Sequence, residues 1–156
     1  MSAMTFVPAW AYGIDHIADH LREPDRVEVM ITSPDFTVRE IVRRSVADSR
    51  WSIIACVDGV PAIIYGVAPT PDPYIGAPWM LATSDIHKVR REFLTRCRDE
   101  VRLMQQKFAV LTNQVHYQNT LSIRWLEWLG FTIDRERPVG PNEELFVFWK
   151  GAARRV

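Results

Sequence analysis

Apolar residues recur along this chain with two alternating periods, and the alternation lays out its elements. Ile14, Ile17, Ala18 and Leu21 fall at helical spacing, so residues 12–22 read as an amphipathic helix with Pro24 beyond its end. Val27 to Ile31 alternates apolar with acidic or bulky residues and suits a short strand. Thr37 and Glu40 have the spacing of a capping box, and Val38, Ile41, Val42 and Val46 form the buried stripe of the helix they open. Residues 51–57 and 60–67 are two β-rich runs joined by Asp58-Gly59, a pair that tolerates the positive φ of a tight hairpin. Pro61 stands near the start of the second run, where a missing N–H does least harm. Residues 68–78 hold Pro69, Pro71, Pro73, Gly76 and Pro78 and read as a loop that could serve as a lid.

Residues 79–83 read as the next strand. Ser84 and Asp85 can cap a long helix reaching about residue 107, with Ile86, Val89, Phe93, Cys97, Val101 and Met104 as its apolar stripe. Residues 108–113 form a strand, and 119–129 a last helix stopped by Gly130. Two strands, 131–135 and 145–150, close the chain around a turn containing Pro138, Gly140 and Pro141. The order α-β-α-β-β-β-α-β-α-β-β predicts a mixed α/β fold. Its sheet should have six to seven mostly antiparallel strands, one β-α-β crossover about the long helix, and helices on both faces.

Length and charge narrow the picture. A chain of 156 residues implies one domain, 1–156, with its core at about 26–150. Net charge is zero, and the basic pair Arg154-Arg155 is too short to change that, so nucleic acid is not an expected partner. No apolar run reaches membrane-spanning length, and residues 1–11 lack the basic start and long apolar core of a secretory leader. Cys56 and Cys97 sit in separate apolar segments without disulfide or metal-ligand spacing, which fits a reducing compartment. Six tryptophans supply core packing or a protein-facing surface.

Three small constellations invite chemistry. His16 and His20 share a helix face, but no glutamate or third ligand accompanies them, so no metal site is expected. Ser84, Asp85 and His87 are explained by a capping turn. His116 and Tyr117 follow a strand end, where α/β proteins collect ligand sites.

The stretch Asn119 to Phe131, with Ser122 and the ending Leu129-Gly130-Phe131, taken with the element order over residues 26–150, resembles the GNAT (GCN5-related N-acetyltransferase) fold. Residues 78–83 (PWMLAT), 111–115 (LTNQV) and 125–131 (WLEWLGF) are more narrowly similar to a GNAT-like family of tailed phages that includes internal virion proteins of short-tailed phages.

That resemblance implies an acetyl-CoA site. The backbone of Leu81, Ala82 and Thr83 would hold the pantetheine arm, and Ser84, His87 and Lys88 the pyrophosphate at the head of the long helix, with Asn119 close by. GNAT enzymes carry a glycine-rich turn there. Here residues 83–88 contain no glycine, and Asp85 sets a carboxylate where an anion should bind. The family's proton-donating tyrosine falls on Leu126, with Tyr117 the nearest alternative. Glu40, Asp58, Glu127 and Glu144 are the carboxylates available as a general base. Fold signals kept and chemistry lost imply a non-catalytic virion or morphogenesis component without a cofactor. Its partners would be phage structural proteins, and its place the host cytoplasm or the virion. The alternative is a divergent acetyl-CoA-dependent N-acetyltransferase acting on a protein or a small amine.

Overall fold

The hairpin at Asp58-Gly59 forms with both residues in the left-handed region, at φ 50° and 80°. It sits inside a larger framework. The computed structural model describes residues 2–151; the Arg154-Arg155 pair lies outside them. Its elements are β1 (Met4–Pro8), α1 (Ala11–Asp19), α2 (Glu23–Thr32), α3 (Val38–Asp48), β2 (Trp51–Val57), β3 (Val60–Pro69), β4 (Ile75–Ala82), α4 (Arg90–Lys107), β5 (Val110–His116), α5 (Thr120–Trp128), β6 (Thr132–Val139) and β7 (Leu145–Gly151).

The strands make one sheet in the order β1-β2-β3-β4-β5-β7-β6. Every neighbouring pair is antiparallel except β4 and β5, which α4 connects. The mixed α/β architecture with helices on both faces is therefore the one expected. Residues Pro61 to Val67 of β3 are all buried, because helices cover both sides of this central strand. On one face Ile14, Ile17, Val29, Ile41 and Val42 from α1–α3 pack on Ile54, Ile64 and Leu81. On the other, Phe93, Val101 and Met104 of α4 and Ile123 and Trp125 of α5 pack on Ile63, Leu111, Val115 and Phe148. Pro61 falls beside a register shift at Ala55/Cys56, where a ladder bond is already missing.

Four expectations are corrected. The segment Val27 to Ile31 is not a strand but the interior of α2. Pro24 opens this helix in its first turn, where its absent N–H costs nothing, and the buried stripe is Asp25 and Val29 at i, i+4. A buried carboxylate in that stripe hid the helical period. The N-terminal strand β1 was not expected; five residues give too short a pattern, and pairing with β2 decides their conformation. The proline-rich loop shrinks to residues 70–74, because β3 runs through Pro69 and β4 starts at Ile75 and includes Pro78. Ser84 and Asp85 do not cap the long helix. They begin a separate 3-10 turn, Ser84–Lys88, whose cap is Thr83, its Oγ1 accepting from the Asp85 N–H at 3.3 Å. The α-helix starts only at Arg90, after Val89 leaves helical geometry at φ −132°.

The capping box at Thr37 forms as expected, with Oγ1 accepting from the Glu40 N–H at 3.2 Å and the Glu40 carboxylate from the Thr37 N–H at 3.4 Å. Of the tryptophans, Trp125 is buried while Trp10, Trp128 and Trp149 stay partly exposed, Trp128 under the Arg98 guanidinium at 4.0 Å. No helix of the described residues is long and apolar enough to cross a membrane.

Thr37→Ala is expected to cost about 1 kcal/mol in urea unfolding, since it removes one half of the box. Gly76→Ala should cost more, about 1–3 kcal/mol, because an added Cβ would lie 2.6 Å from the Phe108 ring. Equal and negligible effects would contradict both assignments.

Candidate active site

β4 and β5 pair only at Ile75/Val110 and Gly76/Leu111, and beyond that they part. The reason is local. Backbone groups of a strand point to alternate sides. The Thr83 N–H bonds the Ala62 carbonyl of the β3 side, so Ala82, Met80 and Pro78 present theirs toward β5. Pro78 has no N–H to offer there. Its carbonyl is taken by the Asn113 side chain, whose Nδ2 donates to it at 2.9 Å across the fork. The ladder cannot continue, and the strands splay.

The fork opens into a cleft of about 310 Å³ that passes through the sheet. On the α2–α3 side it is lined by Glu28, Val29, Ile41 and Ser45, and on the α4–α5 side by Phe93, Cys97, Glu100, Met104, Ser122, Trp125 and Leu126. Met80 and Leu81 form its β4 wall and Gln114 and Val115 its β5 wall. The size and mainly apolar lining suit a small organic ligand.

A buried polar cluster frames one end. Arg22, Asp25, Glu28 and, later, Thr32 follow one another at three- and four-residue steps along the side of α2 that meets the sheet. Asp25 is almost fully buried. Its Oδ1 accepts from Arg22 Nη2 at 3.0 Å and from Asn119 Nδ2 at 3.1 Å, and its Oδ2 from the Ala82 N–H at 2.9 Å. Burial pushes the Asp25 carboxyl above the ordinary range, against the pull of Arg22 and the Ala82 N–H. Glu28 Oε1 accepts from the His116 N–H and from Asn119 Nδ2, both at 2.9 Å. Burial raises Glu28 from 4.5 to about 7, and those two donors limit the rise. A carboxyl in the cleft wall that exchanges its proton near neutrality can act as a base.

The residues expected to bind a cofactor are distributed unevenly around this cleft. Leu81 lines it. Ala82 is buried and does not line it, and the corner between α1 and α2 already holds both of its backbone groups: the Arg22 N–H donates to the Ala82 carbonyl at 2.9 Å, and Asp25 takes its N–H. Thr83 is buried and bridged to Leu21. Ser84, His87 and Lys88 are exposed on the 3-10 turn, with Lys88 Nζ 3.2 Å from the Asp85 carboxylate. Asn119 is buried inside the polar cluster rather than turned to the cleft.

Of the candidate bases, Glu40 is consumed by its capping box and Glu127 pairs with Arg135 at 2.7 Å on the surface. Asp58 accepts from the Ala3 N–H in the hairpin, and Glu144 stands 3.9 Å from His116 Nε2. His116 is buried with its Nδ1 accepting from the Gln118 N–H, and Tyr117 is exposed against it. None of these lines the cleft. His16 and His20 stack at 4.4 Å, and His20 Nδ1 bonds the His16 carbonyl; among the described residues no three potential metal ligands gather.

Glu28 and Tyr65, which do line the cleft, were missed. Glu28 falls inside the expected strand at residues 27–31, which is the interior of α2. Its signal was the three-residue spacing Arg22, Asp25, Glu28, which reads as one helix side once Pro24 is taken as a start.

No family model matches the chain, and no curated protein matches it. Solved structures do. The ribosomal-protein-alanine N-acetyltransferase of Brucella melitensis superposes with a TM-score of 0.66 at 16% identity, covering 94% of this chain and 99% of that one. A GNAT-family acetyltransferase of Streptococcus pneumoniae gives 0.58 at 11%, covering 96% and 99%. An aminoglycoside acetyltransferase in complex with coenzyme A gives 0.62 at 15%, covering 96% and 95%. The fold is therefore that of the GNAT acetyltransferases, and at these identities the likeness concerns the fold alone.

Because Glu28 binds its proton more tightly folded than unfolded, native stability is lost as pH rises from 4.5 to about 7. Glu28→Gln keeps an oxygen for His116 and Asn119 and removes the titration. Relative to wild type, it should gain up to about 3 kcal/mol in urea unfolding on going from pH 5 to pH 8. A difference that stays constant with pH would refute the assignment.

Proposed function

We propose that the chain is an acyl-CoA-dependent N-acyltransferase of the GNAT type, acting on an amine of a protein or small molecule. The observation that carries this reading is Glu28: a carboxyl with a near-neutral pKa, set in the wall of a cleft that runs between the two splayed strands. The Met80 backbone faces the same gap and offers an N–H to a thioester carbonyl. The exposed Arg90 and Arg91, with Lys88 once it leaves Asp85, surround the head of α4 and replace with charge what the missing glycines would supply through the backbone. Bound acyl-CoA would supply the activated acyl group. On the α2 side, Glu28 takes the proton that the attacking amine must lose, and Asn119 and the His116 N–H hold its carboxylate in place. Leu126, which lines the cleft, cannot protonate the leaving thiolate, so that proton comes from another group or from solvent.

One observation favours a second reading. The Ala82 edge of β4 is closed by the chain's own Arg22 and Asp25. If that edge stays closed, the fold serves as a protein-binding module. The resemblance in residues 78–83, 111–115 and 125–131 then supports a component of a tailed-phage virion or its assembly, with structural proteins as partners.

Calorimetry with acetyl-CoA and release of free CoA thiol in the presence of amines separate the two. The first reading expects micromolar to millimolar binding and amine-dependent turnover. It also expects kcat/KM to rise with pH and level off above about 7, as Glu28 loses its proton. Glu28→Gln should lower kcat by about 10²–10⁴ while acetyl-CoA still binds. Lys88→Glu should weaken binding by about tenfold. A chain that neither binds acetyl-CoA nor releases thiol fits the second reading only.

A further inference from the structure

Tyr65 is the one buried side chain among the described residues with a polar atom that has no hydrogen-bond partner. It sits on β3, 95% buried to judge from its 5% exposure, and it lines the cleft. Buried tyrosine hydroxyls ordinarily find a partner, and one left alone has given up water for nothing. Its ring already packs edge-on against Phe93 at 5.8 Å, a contact that phenylalanine would make equally well. The hydroxyl is thus superfluous to the core and available to the cleft.

Its surroundings define what it could hold. Tyr65 is paired with Met80 across the β3–β4 ladder, so its ring stands one strand beyond the fork, under α4. A strand spacing of roughly 4.8 Å exceeds the reach of a single methyl group. The walls there are Phe93, Val101, Met104 and Trp125. The second polar group is Glu100, whose side chain is 12% exposed and lies 3.4 Å from Arg96 Nε. Burial first, and then the neighbouring Glu100 carboxylate, raise the Tyr65 pKa. Glu100 is thus within electrostatic reach of the hydroxyl, yet no acceptor stands within hydrogen-bonding distance of it. The phenol therefore remains a donor at all working pH values, and a carboxylate acceptor stands near it.

We infer that this end of the cleft is an acyl-specificity subsite, in which Tyr65 donates a hydrogen bond to a hydroxyl oxygen on an acyl chain of about four carbons. The same hydroxyl can donate onward to Glu100. The Glu100 charge disfavours an anionic acyl tail, and the apolar walls accommodate the chain itself. The inference rests on the acyltransferase reading and names its substrate class: neutral hydroxyacyl thioesters rather than acetyl alone.

The test compares acetyl-CoA, butyryl-CoA and 3-hydroxybutyryl-CoA on wild type and Tyr65→Phe, by calorimetry and by amine-dependent thiol release. Wild type should prefer the hydroxylated chain over butyryl by about tenfold, and in Tyr65→Phe the ratio should fall to near one. The variant should melt no lower than wild type, since it removes an unpaired group. Binding of all three thioesters without discrimination, or a preference that survives in Tyr65→Phe, overturns the subsite and leaves the acyltransferase reading standing. Failure of all three to bind overturns both.

Discussion

The missing N–H of Pro78 is the constraint on which the rest of the molecule depends. The antiparallel ladders elsewhere in the sheet are interrupted only by local register shifts, at Ala55/Cys56 and at Asp134/Val139, and resume beyond them. Between β4 and β5 they stop after Gly76/Leu111, because the next group due to donate does not exist. A parallel pair buried between two helical layers would otherwise zip to its end. Asn113 secures the fork by satisfying the orphan Pro78 carbonyl, and Gly76 lets the Phe108 ring press against the last paired step. The cleft is thus produced by backbone chemistry at one residue and given a mainly apolar wall by the side chains around it.

The polar cluster at the α1–α2 corner is the counterpart of that opening. Arg22, Asp25, Glu28 and Asn119 bring charge into the interior, a costly arrangement unless every group is bonded. Here Asp25 takes four donors and Glu28 two, so the cluster holds α2 against both β4 and the start of α5. It also places one carboxyl, Glu28, at the boundary between protein and cleft, where burial raises its proton affinity. Structure and electrostatics come from the same few side chains.

Much of the fold was legible in the chain. The Asp58-Gly59 turn, the Thr37/Glu40 box and the Gly130 stop are local devices whose geometry is set by a few neighbouring residues, and they stand where the pattern put them. The last helix and its following strand read clearly for the same reason. α2 did not, because its buried stripe carries Asp25 where an apolar residue would mark the period. β1 and the first half of β4 are strands through long-range pairing, which a short proline-bearing segment does not advertise. The site was less legible than the fold. Glycine absence at residues 83–88 was visible, but Glu28 and Tyr65 acquire their character from burial against elements far away in sequence. Asn119 was seen, yet its partners, Asp25 and Glu28, lie more than ninety positions earlier.

The hold that the Leu21–Asp25 corner keeps on Ala82 has a consequence for affinity. A segment tethered at both ends beside its binding edge acts as a resident competitor at high local concentration, on the order of millimolar or above. Any extended amide-bearing molecule that uses the same edge has to outcompete it, so the measured dissociation constant would be the intrinsic one divided by the fraction of molecules with the corner withdrawn. Loosening the corner would then tighten capture without altering a single contact to the captured molecule.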